Sequence, residues 1–262
     1  RAGTIILICS IVIWFLLSFN FKLKYGVDVE ERILAKVVVG SRLHETATPE
    51  SDWDYRGIYV VPEIEALSPF RRPKNTSWIE GDVDNTSYEL RNFCKLATQG
   101  NATILEVFFS DKIVQSSPEH QEMRENWKKF MNTKNFINAS RGYAHNQYKK
   151  ALDYDDIGEK GQIRTAKFVI SFLRVMWQCE QYLLTDKFEC SLKTCPYFEY
   201  IKKIKGTPRD KLDIPECFFY MEEMNQKLLK AEQICRDSTP EIFDRKPDLE
   251  WIENFILKTY RG

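Results

Sequence analysis

Residues 37–60 read VVVGSRLHETATPESDWDYRGIYV. An apolar run, Val37 to Val39, ends in Gly40-Ser41. Ten residues later come Asp52-Trp53-Asp54, a polar turn and a second apolar run, Ile58 to Val61. Short apolar runs bounded by turn residues predict strand, tight turn, short helix or loop, then a second strand. In an extended strand residues i and i+2 share a face, so Asp52 and Asp54 would present two carboxylates side by side. Adjacent like charges raise each other's pKa unless something neutralises them. A divalent cation does so, and hard oxygen ligands in this number suit Mg²⁺, which is held by one or two carboxylates plus substrate phosphates. Gly40 lets the backbone approach closely, and a helix N-terminus just after it offers N–H groups to an anion. Either element alone ordinarily marks a solvated loop. Their order and spacing between two apolar strands point to function.

Gly40-Ser41, ten residues, then Asp52-x-Asp54 resembles the signature of the DNA polymerase β-like nucleotidyltransferase superfamily. The longer string, Gly40-Ser41-Arg42 through Thr46-Ala47-Thr48-Pro49-Glu50-Ser51-Asp52-Trp53-Asp54-Tyr55-Arg56-Gly57, is similar to its RlaP-like bacterial and phage branch. The resemblance implies an α+β fold, with a mixed-sheet core followed by a helical C-terminal region. It also implies transfer of a nucleoside monophosphate from an NTP to an acceptor hydroxyl, with release of pyrophosphate. Mg²⁺, with Mn²⁺ as its substitute, would be held by Asp52, Asp54 and a third acid. Asp84 matches that acid, four residues before Tyr88-Glu89-Leu90-Arg91, with Asp82 as the fallback. Two-metal phosphoryl transfer needs such a group to hold the second ion and to deprotonate or orient the attacking hydroxyl. Gly40, Ser41 and Arg56 fall in the nucleotide-binding set.

A second block, Lys167 … Arg174 … Leu183-Leu184-Thr185-Asp186-Lys187-Phe188, resembles the family's Lys-x-x-x-His-x-x-Arg helix. Residues 167, 171 and 174 fall on one helical face, where Lys167 and Arg174 would hold triphosphate oxygens. Three departures stand out: Glu45 where the family usually has Gly, Ser171 where it has His, and Ala102 for Pro in Asn101-Ala102-Thr103-Ile104-Leu105-Glu106. A side chain at position 45 is expected to crowd the phosphate turn. The alternative reading is a degenerate member that binds nucleotide or a partner without turnover.

The other residues bound the reading. Lys+Arg and Asp+Glu both number 38 in 262 residues, so no global electrostatic footprint for nucleic acid exists. Seven scattered cysteines contain no C-x-x-C, which argues against zinc and for reduced thiols packed as small apolar groups. The three histidines lie far apart, and His145 reads as a surface or packing residue. Four N-x-Ser/Thr sequons, at Asn75, Asn85, Asn101 and Asn138, are background for so short a motif.

Residues 4–21 are almost wholly apolar, at the short end of a membrane span, with Lys22 and Lys24 after them. They predict a transmembrane helix with the remainder facing the cytoplasm by the positive-inside rule, or else an unusual fusion or fragment end. The expected division is an anchor over 1–24, a linker over 25–32, the transferase core over 33–115 and a mostly helical region over 116–262. Helical spacing is expected from Tyr88 to Gly100, across 118–151 and 163–188, and at about 196–204, 214–236 and 248–260. The acceptor, whether RNA, protein or small molecule, is open at this level.

Overall fold

The computed structural model describes residues 32–70, 75–80, 83–153 and 164–261. Residues 32–39, RILAKVVV, form strand β1; the branched side chains suit a pleated surface, and Leu34, Val37 and Val39 are buried. The chain turns at Gly40 into the one-turn helix α1 (Gly40–Leu43) and returns as β2 (Trp53–Val60), antiparallel to β1. A short exposed helix, α2 (Glu63–Leu67), precedes β3 (Thr76–Glu80) and β4 (Val83–Glu89). β4 runs parallel to β2 and antiparallel to β3. Helices α3 (Leu90–Thr98) and α4 (Ala102–Phe109) follow, then β5 (Ile113–Ser116) on the free side of β1. The mixed sheet therefore runs β3-β4-β2-β1-β5.

Helices make up the remainder: α5 (Pro118–Glu125), α6 (Thr133–Asp153), α7 (Arg164–Thr185), α8 (Phe198–Ile204), α9 (Ile214–Ser238), α10 (Pro240–Phe243) and α11 (Leu249–Arg261). One apolar core joins sheet and helices, from Leu34 and Ile58 through Phe93 and Phe108 to Phe172, Met221 and Phe255. Aromatic rings weld the helices together. Phe108 lies 5.1 Å from Phe130, Phe109 lies 5.1 Å from Phe188, and Trp251 stacks on Phe255 at 5.3 Å.

Two expectations change. Tyr88 and Glu89 end β4 rather than begin a helix; the Glu89 carboxylate instead caps α3 by accepting from Asn92 N. The transmembrane helix is withdrawn: among the described residues no helix is long and apolar enough to cross a membrane. The long helices α6 and α7 are amphipathic and charged along their length, with Lys134, Arg141 and Lys149 on one and Lys167, Arg174 and Glu180 on the other. Residues 4–21, on which that expectation rested, lie outside the described residues, as do Cys9 and Asp82.

Candidate active site

The turn at Gly40 is reserved for glycine twice over. Its φ is +66°, in the left-handed region, and a Cβ there would lie 2.0 Å from Asp54 Oδ2. The register explains the second constraint. Val39 pairs with Asp54 across β1 and β2, so the residue after Val39 meets the Asp54 carboxylate. Asp54 in turn pairs with Asp84 across the parallel β2–β4 ladder. Antiparallel return on one side and parallel pairing on the other thus bring residues 40, 54 and 84 together. Asp52 lies one residue before β2 and is exposed, so the two aspartates do not share a strand as expected.

Burial pushes the Asp54 carboxyl above its usual range; Arg56 opposes this, and the Asp84 and Asp52 charges add to it. Arg56 Nη1 lies 3.9 Å from Asp84 Oδ1 and donates to Tyr55 O at 2.9 Å. Its Nε is buried without a hydrogen-bond partner. The oxygen donors of Asp52, Asp54 and Asp84 fit a hard divalent cation in chemistry, and such a cation would relieve the crowding of charge around Asp54. They do not converge on one point: among the described residues no three His, Cys, Asp or Glu side chains are grouped closely enough to hold a metal ion.

Six of the eight candidates line one cavity of about 580 Å³: Gly40, Ser41, Asp52, Asp54, Lys167 and Arg174. Asp84 and Arg56 are outside its lining, beside Asp54. α7 contributes the face carrying Lys167, Ser171 and Arg174, at the i, i+4, i+7 spacing of one helical stripe. Arg174 Nη1 donates to the buried carboxylate of Glu106 on α4 and, at 3.2 Å, to Gln178 Oε1. Glu106 also lies 3.3 Å from His44 Nε2, while His44 Nδ1 donates to Cys190 O at 2.9 Å. Burial alone would push the Glu106 carboxyl up; the Arg174 and His44 charges outweigh it and hold it below its usual value. Glu106 therefore sits beneath the site, holding two cavity residues. Asn101 is elsewhere, capping α4 by accepting from Thr103 N and Ile104 N.

Glu45 does not crowd the Gly40 turn. It adopts φ +61°, the conformation a glycine would take without strain, and is not part of the cavity lining. Its carboxylate meets Lys112 at 3.1 Å and Lys193 at 3.7 Å, and the Lys112 hydrogen bond holds its pKa down. Sequence reasoning missed His44, Arg42 and Lys205. His44 carried a usable signal, since it lies four residues after Gly40 in the turn. Arg42 donates to Ser51 O at 2.6 Å and to Asp52 O at 3.3 Å, with its guanidinium 4.0 Å from the Trp53 ring centroid. Lys205 has no sequence signal beyond following a short helix.

Residues 20–187 match the family described as RlaP, RNA repair pathway DNA polymerase beta family. An uncharacterized 38.9 kDa protein of the nrdC-mobD intergenic region of Enterobacteria phage T4 is 29% identical over 133 residues, 47% of this chain. The chain spans about a third of that relative, 36% of its length. A solved nucleotidyltransferase-like protein from Exiguobacterium sibiricum 255-15 overlaps 78% of this chain and 71% of its own, with a TM-score of 0.32 and 8% identity, too loose for residue correspondences. The family match takes in well over half of the 262 residues, including the Gly40 turn, all three aspartates and the Lys167–Arg174 face, and the chain belongs to the RlaP family of DNA polymerase β-type proteins.

Proposed function

We propose that this protein is a Mg²⁺-dependent nucleotidyltransferase that moves a nucleoside monophosphate from an NTP to an acceptor hydroxyl. The observation that carries the reading is one cavity lined both by carboxylates, Asp52 and Asp54, and by cations, Lys167 and Arg174. In the reaction the acceptor oxygen bonds to the α-phosphorus, the bond from that phosphorus to the β-bridging oxygen breaks, and pyrophosphate leaves. Asp84, next to Asp54 on the adjacent strand, would take the hydroxyl proton. The Gly40-Ser41 turn would hold the β- and γ-phosphates, and Lys167 and Arg174 would neutralise triphosphate charge. Asp52, Asp54 and Asp84, which do not converge on one point in this structure, would have to close on the divalent cation, which supplies charge stabilisation at the transferring phosphoryl group when bound. Catalysis of this kind is mostly positioning and electrostatics. The description of the family favours an RNA end as acceptor.

The test is thermal unfolding with each of the four NTPs, with and without Mg²⁺, beside Asp54→Asn. A nucleotide at ~100 times its Kd stabilises by roughly 2.7 kcal/mol. The expected outcome is a shift that requires Mg²⁺ and is absent in Asp54→Asn. That variant should melt above the wild type without ligand, because it removes a carboxylate whose charge is disfavoured by burial and by its acidic neighbours. A folded wild type indifferent to all four NTPs refutes the reading. Nucleotide binding without pyrophosphate release on any RNA acceptor would instead favour the binding-only alternative, for which Ser171, standing in the cavity in place of the expected His, is the relevant departure.

A further inference from the structure

The family match ends at residue 187, yet the cavity does not. Leu192, Lys205 and Gly206 complete its lining. The segment after α7 is bound to the phosphate turn: Leu192 N donates to His44 O at 3.3 Å, and Cys190 O accepts from His44. Helix α8 then buries Tyr200, Ile201 and Ile204, which fixes where its C-terminal Lys205 emerges. Lys205 Nζ donates to Thr46 O at 2.6 Å and to Ser51 Oγ at 3.2 Å, both on the loop joining α1 to β2.

We propose that Lys205 binds the phosphates of the nucleoside triphosphate, so that chain beyond the family-matched region completes the substrate site. This rests on the nucleotidyl-transfer reading. An ammonium group has three donors, and the loop takes two of them. Among the described residues neither Lys205 nor Lys167 is ion-paired with a carboxylate, and both line the same cavity. Other lysines of this region are committed: Lys112 Nζ is held by Arg42 O and Glu45. Burial and the like charges of Lys167 and Arg42 hold the Lys205 pKa below its usual value, against the pull of Asp54 and Asp52. A polyanion between Lys167 and Lys205 relieves that repulsion. Its contact with the loop that leads to Asp52 also couples phosphate binding to the cavity carboxylates.

The experiment is calorimetric titration of the full chain with inorganic pyrophosphate and with each NTP in Mg²⁺. Lys205→Gln keeps an N–H donor for Thr46 O and Ser51 Oγ but removes the charge; Lys205→Arg keeps the charge. Loss of a charged hydrogen bond predicts weakening of pyrophosphate and NTP by about tenfold or more in Lys205→Gln. Lys205→Arg should recover most of it, and the monophosphate of the bound nucleotide should be little affected. Wild-type affinity for pyrophosphate in Lys205→Gln overturns the inference and leaves nucleotidyl transfer standing. Equal weakening of monophosphate and pyrophosphate also overturns it, since Lys205 would then only latch the loop. A wild type that binds neither NTP nor pyrophosphate overturns both readings.

Discussion

Glu45 shows how one residue can depart from its family without entering the chemistry. An L-residue in the left-handed region costs about 1–2 kcal/mol. Its part-exposed ion pairs with Lys112 and Lys193 return about 1 kcal/mol or less. Glu45→Gly removes both, so its stability by urea denaturation should lie within about 1 kcal/mol of wild type. With no part in the cavity lining, its transfer rate should stay close to that of wild type, measured as pyrophosphate release. A gain of tenfold or more would mean that Glu45 does obstruct the phosphate turn. Gly40 is the opposite case, since its backbone angle and the Asp54 carboxylate both exclude a side chain.

Between elements, the joint that matters is α4 against α7 through Glu106 and Arg174. α4 is apolar on nearly every side, with Ile104, Leu105, Val107 and Phe108 buried, and a carboxylate at its centre is stable only because Arg174 and His44 meet it. Glu106→Gln leaves a largely buried Arg174 without its counter-charge and should cost roughly 3–5 kcal/mol at neutral pH. The pH dependence follows from the lowered Glu106 pKa. The folded state binds its proton less readily than the unfolded chain. The stabilisation is fully present above about pH 4.5 and is lost as pH falls through the depressed folded value. Wild-type stability should decline in that acid window, and Glu106→Gln should be flatter there. Parallel slopes in urea melts from pH 3 to 6 would contradict the role given to this pair.

For the molecule as a whole, sheet and helices share one core, and the described cysteines lie within it. Cys94, Cys179, Cys190, Cys195, Cys217 and Cys235 are free and buried. Burial pushes Cys179 up to about 12 and Cys195 up to about 11, so neither carries appreciable thiolate at pH 8. Peptide mapping after brief alkylation should find these six unmodified in the native protein and modified together once it unfolds. Rapid labelling of any of them in native buffer would show that the core opens locally.

The elements that carry the candidate site were legible because local patterns encode them. Strand, glycine turn and strand around Asp54 follow from residues close in sequence, and so does the helical stripe of Lys167, Ser171 and Arg174. Helix starts were less legible: Tyr88 has helical spacing with later residues, but pairing of β4 with β2 holds it in the sheet. The role of Glu106 and the approach of Lys205 to Thr46 had no local signature. Lys205 and Thr46 lie 159 residues apart, Glu106 and Arg174 lie 68 apart. Sequence alone determined the glycine turn between two strands and the helical stripe of Lys167, Ser171 and Arg174, because turn geometry and side-chain period act over a few residues. Only the tertiary structure decided which of them share a cavity, that Glu45 is not part of its lining, and that Lys205 is, because those follow from strand register and from packing of a common core.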